Sequence, residues 1–112
     1  MDNAHTIEKI HKFAEKKKSD KIIKFLSSSE TEVVVAALEA LSEIRDEDSV
    51  NSIAGMIDNA EPQIRMEAAK ALGNLGTEYA KTYLQHRMAA EQDEAVKKAI
   101  MDALHNIAAN KK

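Results

Sequence analysis

No cysteine occurs among the 112 residues, and tryptophan is missing as well. Disulfides, thiolate metal sites and thiol nucleophiles are thereby excluded, and the absence fits a reducing compartment. One proline and three glycines are too few turn-formers for a fold of many short strands. Aromatic residues make up 4% of the chain, against 44% hydrophobic residues overall. A core drawn from that supply consists of many small aliphatic contacts, which closely packed helices provide. No run approaches the roughly 18 apolar residues of a membrane span, and the opening residues lack the apolar stretch of a signal peptide. The expectation is a soluble, cytoplasmic chain, folded as one domain over residues 1–112.

Positive charge is scarce where a nucleic-acid-binding surface would need it. Residues 1–29 hold seven lysines against four acids, a balance of +3. Residues 30–61 hold one arginine against nine acids, or −8, and residues 62–112 return +2. Phosphate binding requires clustered lysine and arginine, and the one short cluster, Lys16, Lys17 and Lys18, is no broad basic face. No nucleic-acid partner is expected.

What the chain does have is a period. Residues 33–44 read VVVAALEALSEI, residues 64–75 read IRMEAAKALGNL, and residues 96–107 read VKKAIMDALHNI. In register, Leu41, Leu72 and Leu104 coincide, as do Val33, Ile64 and Val96, and Ala40, Ala71 and Ala103. The steps are 31 and then 32 residues, a length that signals stacked helical repeats. Within each segment the apolar residues fall at helical spacing, and the matched alanines allow a neighbouring helix to come close. The intervening segments match too: Ile22 with Ile53 and Leu84, and Leu26 with Ile57 and Met88. Each repeat is therefore a shorter first helix, a turn and a longer second helix. Stepping back 31 from Leu41 and Ile44 lands on Ile10 and Phe13, so the chain opens with a lone second-type helix that caps the stack.

The pattern predicts an all-α chain of seven helices, at about 3–17, 19–28, 31–45, 49–59, 62–75, 78–90 and 94–109. Residues 1–18 form the capping helix, and 19–48, 49–76 and 77–109 the repeats. Local punctuation supports these limits. Ser29-Glu30-Thr31-Glu32 reads as a capping box. Pro62 suits a first helical position. Thr77 and Asp93 read as N-caps and Gly76 as a C-terminal stop. The three lysines at 16–18 close the first helix, where cations complement the dipole.

The stretch from Pro62 to Gly76, PQIRMEAAKALGNLG, resembles the second helix of HEAT repeats of the phycobilisome-lyase-like kind, V-R-x-x-A-A-x-A-L-G-x-I-G. The resemblance covers about residues 19–109; the first repeat has Val34 and Ser42 at the Arg and Gly positions, and the third has Lys97 and His105. It implies an α-α superhelix, a solenoid of about three and a half helix pairs. It also implies that second helices line the concave face and that the chain is a small protein-interaction or scaffold module. The residues between the core positions there are Val35, Glu39 and Glu43, then Met66, Lys70 and Asn74, then Lys98, Asp102 and Asn106. Val35 and Met66 are expected to sit side by side as a small apolar strip. The alternative that the resemblance raises is an accessory or lyase-like protein related to phycobilin lyases, handling a chromophore or cofactor. A short chain without cysteine is a poor host for one.

Catalytic chemistry finds no foothold. His5 and His11, six residues apart on one helix, point roughly 120° apart. His86 and His105 belong to different helices, and no H-x-x-x-H pair occurs. Ser27, Ser28 and Ser29 lie in a turn without a Gly-x-Ser-x-Gly frame. Gly73 and Gly76 end a helix, whereas a phosphate cradle opens one. The run Arg45-Asp46-Glu47-Asp48 reads as a solvated, capping turn, or as an acidic patch for a basic partner. No enzyme activity, metal, cofactor or membrane association is expected. The partner is another protein, and the chain itself a monomer or weak homo-oligomer.

Overall fold

A computed structural model describes residues 3–110. Seven α-helices follow one another: α1 (Asn3–Glu15), α2 (Ser19–Ile23), α3 (Thr31–Ile44), α4 (Glu47–Met56), α5 (Pro62–Leu75), α6 (Glu78–Ala90) and α7 (Glu94–Ala109). A short 3-10 turn, Lys24–Ser27, extends α2. No strand occurs among the described residues. Helices α1, α3, α5 and α7 pack consecutively as one layer, and α2, α4 and α6 as the other. This is the expected all-α stack of helix pairs behind a lone first helix.

The repeat positions form the core. Val33, Ile64 and Val96 are buried, as are Ala37, Ala68 and Ile100 one turn later. Ile22, Ile53 and Leu84 are fully buried in the other layer, and Ile10 is fully buried in α1. Leu41 and Leu72 are completely sequestered, but Leu104 is only half-buried. Leu104 belongs to α7, which among the described residues packs on α5 and α6 alone.

Helix ends follow local chemistry, with corrections. Asp46, Thr77 and Asp93 cap α4, α6 and α7 by accepting the N–H of Ser49, Ala80 and Val96. Pro62 opens α5, and Gly76 ends it at φ +67°. The capping box at Ser29 does not form: Glu30 is the N-cap of α3 without a side-chain bond, and the Ser28 hydroxyl takes the Glu30 N–H at 3.0 Å. That bond ties the serines into their own turn, the competition by which serine favours loops over helices. Helix α4 starts at Glu47, two residues before its expected first residue, because Asp46 supplies the cap. Helix α1 stops at Glu15, and Lys17 at φ 54° reverses the chain while the N–H groups of Lys16, Lys17 and Lys18 close on Phe13 and Ala14 carbonyls. Helix α2 tightens into its 3-10 turn instead of running on to 28. Asp46 also accepts the buried Ser19 hydroxyl at 2.6 Å, so one carboxylate joins α2 to α4. Those hydroxyl and amide donors, Ser19 first, hold its pKa below the ordinary aspartate value.

The α5–α7 contact is the most extensive in the stack, and Gly73 is the reason it is so close. A Cβ built at 73 would lie 2.8 Å from Ala103 Cβ and 3.1 Å from Ala103 Cα. Gly55, inside α4, is the opposite case, since a Cβ there meets nothing within 4 Å. Gly73→Ala is therefore expected to cost about 1–3 kcal/mol by forcing the helices apart. Gly55→Ala is expected to gain about 1 kcal/mol through helix propensity. Urea midpoints of the two variants, shifted in opposite directions, check both. A stabilised Gly73→Ala protein would refute the close approach.

Candidate functional site

Between consecutive helices of the α1/α3/α5/α7 layer runs a chain of grooves. The first lies between α1 and α3, with His11, Glu15, Glu39 and Glu43 on its walls. Its neighbour crosses α1, α3 and α5 and holds Val35, Glu39, Gln63 and Glu67. The third separates α3 from α5 and holds Glu39, Glu43, Lys70 and Asn74. The last and largest, about 710 Å3, separates α5 from α7 and is walled by Met66, Lys70, Lys98, Asp102 and Asn106 among others. All nine residues singled out from the repeat register line this series. Glu39 belongs to three grooves and Lys70 to two, which makes the series continuous.

Local pairing shapes the face. Asn74 Nδ2 donates to Ser42 Oγ at 3.0 Å and to Glu43 Oε2 at 3.2 Å, linking α5 to α3. The Arg45 guanidinium reaches the terminal carbonyls of α5 at Asn74 and Leu75. A cation there complements the negative end of that helix. Lys98 pairs with Asp102 at 3.0 Å on α7, and Lys70 with Glu67 at 3.4 Å on α5. Charge is graded along the face. The grooves near α1 and α3 collect Glu15, Glu32, Glu39 and Glu43, whereas the α5–α7 groove contains both lysines.

The residues of the expected apolar strip line different grooves. Val35 and Met66 are both half-buried and line no groove in common. The α5 residues that face Val35 across its groove are Gln63 and Glu67. Met66, one helical step away, turns toward α7 and packs on the core.

A second cluster went unread in the sequence. Glu91, 4% exposed, closes the turn between α6 and α7. Its carboxylate accepts Arg65 Nε and Nη2, each at 2.9 Å, then Arg87 Nε at 2.9 Å and the Asp93 N–H at 3.0 Å. Arg65 Nη1 goes on to the Asn59 and Ala60 carbonyls, and Arg87 to Asp58. One buried carboxylate therefore ties two helix turns to the start of α5 and the end of α6. The Arg65 guanidinium, above all, holds Glu91 down to about 2 from its ordinary 4.5. Arg65 is raised in return, chiefly by that same bond. Arg65 was visible as the arginine of the repeat motif, and an arginine among apolar neighbours requires a buried carboxylate partner. This cluster is structural: every acceptor atom of Glu91 is already occupied, which leaves none for substrate.

The residues considered for catalysis stay apart. His5, His11, His86 and His105 are exposed, and His11 alone faces a groove of the α1–α3 pair. Among the described residues no three His, Cys, Asp or Glu side chains gather as a metal site. No helix among them is long and apolar enough to cross a membrane.

Comparison with known proteins agrees with the helix pairs. The family model for HEAT repeats matches residues 6–105. No curated protein matches the chain significantly. With the match running from α1 nearly to the end of α7, over paired helices whose repeat positions form the core, the chain belongs to the HEAT-repeat family.

Proposed function

We propose that the chain is a non-catalytic interaction module that holds a partner protein along the grooved face of α1, α3, α5 and α7. HEAT repeats are generally protein-interaction and scaffold modules, and the family is typically non-catalytic. The observation that carries the reading is the continuity of the grooves. Val35, Glu39, Glu43, Met66, Lys70, Asn74, Lys98, Asp102 and Asn106 come from three helices distant in sequence, yet line one series of depressions. A rigid scaffold that presents such a surface binds without ordering itself first, which lowers the cost of association. The charge gradient adds orientation, since a partner with basic and acidic ends fits in one direction only.

A photo-crosslinking amino acid placed at Glu39, Lys70 or Asn106 is expected to capture one and the same protein in the native host. Charge reversal at Glu39, Glu43 and Lys98 together is expected to lower that capture about tenfold with circular dichroism unchanged. Capture of that protein only from positions on α2, α4 and α6 would refute this face.

A further inference from the structure

The layer of α2, α4 and α6 carries a different surface. Three large apolar side chains are exposed among the described residues, and two of them are Tyr79 and Tyr83 on α6. They are also the only tyrosines of the chain. Their rings lie 5.0 Å apart and tilted by 57°, a favoured geometry for an aromatic pair. The Tyr79 hydroxyl donates to Asn51 Oδ1 of α4 at 2.8 Å and lies 3.4 Å from the Tyr83 hydroxyl. The pair is thereby held against α4, with both residues still exposed. Beyond Tyr83 the seam between α4 and α6 opens into a groove of about 410 Å3, with Ile57, Asp58 and His86 among its walls.

Position 55 is exposed on α4 and carries no side chain. Gly55 lies inside α4, where only proline forms helix less well than glycine, and no close neighbour requires the absence of a side chain. Helical spacing puts it one turn beyond Asn51, on the same stripe. Glu47 stands one helical turn before Asn51, on the stripe whose amide meets Tyr79. Glu47 and Asp48 are exposed in the first turn of α4, and the charge of Glu47 bears on the Tyr79 phenol. Neither is in an ion pair among the described residues. The one arginine of the groove, Arg87, is already committed to Asp58 and Glu91.

We propose that the α4–α6 seam is a second docking surface, occupied by a basic segment of a partner protein that lays an arginine or lysine across the Tyr79–Tyr83 rings beside Glu47. Ring faces attract cations, and the guanidinium of arginine stacks on them as well. Charge complementarity selects this occupant. An acidic segment would meet Glu47 and Asp48 as like charges, and an apolar one would desolvate both without a partner.

The molecule supplies its own probe, because without tryptophan its intrinsic fluorescence comes from these two rings. Octa-arginine titrated into the full chain is expected to change tyrosine emission saturably, and octa-glutamate to leave it unchanged. Anisotropy of labelled octa-arginine then reads affinity in variants. Tyr79→Leu with Tyr83→Leu is expected to weaken binding about tenfold. Glu47→Lys and Gly55→Gln are each expected to weaken it, whereas Gly55→Ala binds as the parent does and shows that α4 is intact. Glu39→Lys with Glu43→Lys, on the other layer, is expected to change affinity by less than about twofold. An emission signal that fails to saturate, or undiminished affinity in the tyrosine double variant, overturns the proposal. So does a loss confined to the Glu39 and Glu43 variant, which would send the cation to the other layer. The grooved face is read by different variants, so either surface can fail alone.

Discussion

Glu91→Gln is expected to lower folding stability by about 3 kcal/mol at neutral pH, and two arguments converge on that figure. The first is linkage. The Glu91 carboxyl is held at about 2 in the folded chain, against an ordinary 4.5. Each unit of such a difference corresponds to about 1.4 kcal/mol of preference for the ionised form. Because the folded pKa is depressed, the contribution is complete above about pH 4.5 and is lost as pH falls through about 2. The second argument is the cost of breaking a buried pair, about 3–5 kcal/mol, at the low end here because Arg65 is 12% exposed and recovers some water. Glutamine keeps the shape of the side chain but puts an N–H2 in place of one oxygen, facing either Arg65 Nε and Arg87 Nε or Arg65 Nη2 and the Asp93 N–H, donors in both cases. Because glutamine resembles the protonated acid, the gap between parent and variant should close as pH falls from 5 to 2. Urea unfolding across that range tests the sign. Parallel stability curves for the two proteins would show that Glu91 is not the acid-sensitive group.

The architecture was legible because its signal is repeated. Leu41 and Leu72 recur at the same place in each segment, and each copy supports the same register. Boundaries carried by proline, glycine or a short capping side chain were equally legible, since Pro62, Gly76, Thr77 and Asp93 act through the backbone next to them. The failures are of two kinds. Some caps compete locally: Ser28 and Ser29 look alike in sequence, and only the path of the turn decides which hydroxyl meets which N–H. Others depend on contact between distant segments. Glu91 and Arg65 are 26 residues apart, a separation that no motif spacing encodes. The nine residues of the grooved face were placed in their layer by period alone, yet period did not say that Val35 and Met66 line different grooves. Period fixes which residues share a layer, and packing fixes which of them meet. The tyrosine pair illustrates the same limit from the other side, because its partner, Asn51, comes from the preceding repeat.

Leu72→Ala is expected to cost about 2–5 kcal/mol, the range for a fully buried leucine. A domain of this size has a total stability of about 5–15 kcal/mol, so the variant approaches the threshold of folding. Leu72 is 0% exposed and sits on α5, the helix that packs against α3, α4, α6 and α7. A void there weakens contacts toward both ends of the stack, and neighbouring repeats depend on each other for most of their burial. Its counterpart in α7, Leu104, is half-buried, and among the described residues α7 packs on α5 and α6 alone. Leu104→Ala is therefore expected to cost about 1 kcal/mol, with a smaller void and more room to relax. Hydrogen exchange separates the two outcomes by place as well as size. Leu72→Ala should speed exchange in α3 and α7 alike, because both rest on α5, whereas Leu104→Ala should act on α6 and α7 and leave α3 protected. A Leu72→Ala midpoint shift worth less than about half a kilocalorie, or unequal exchange on its two sides, would mean that the core is not continuous through the central helix.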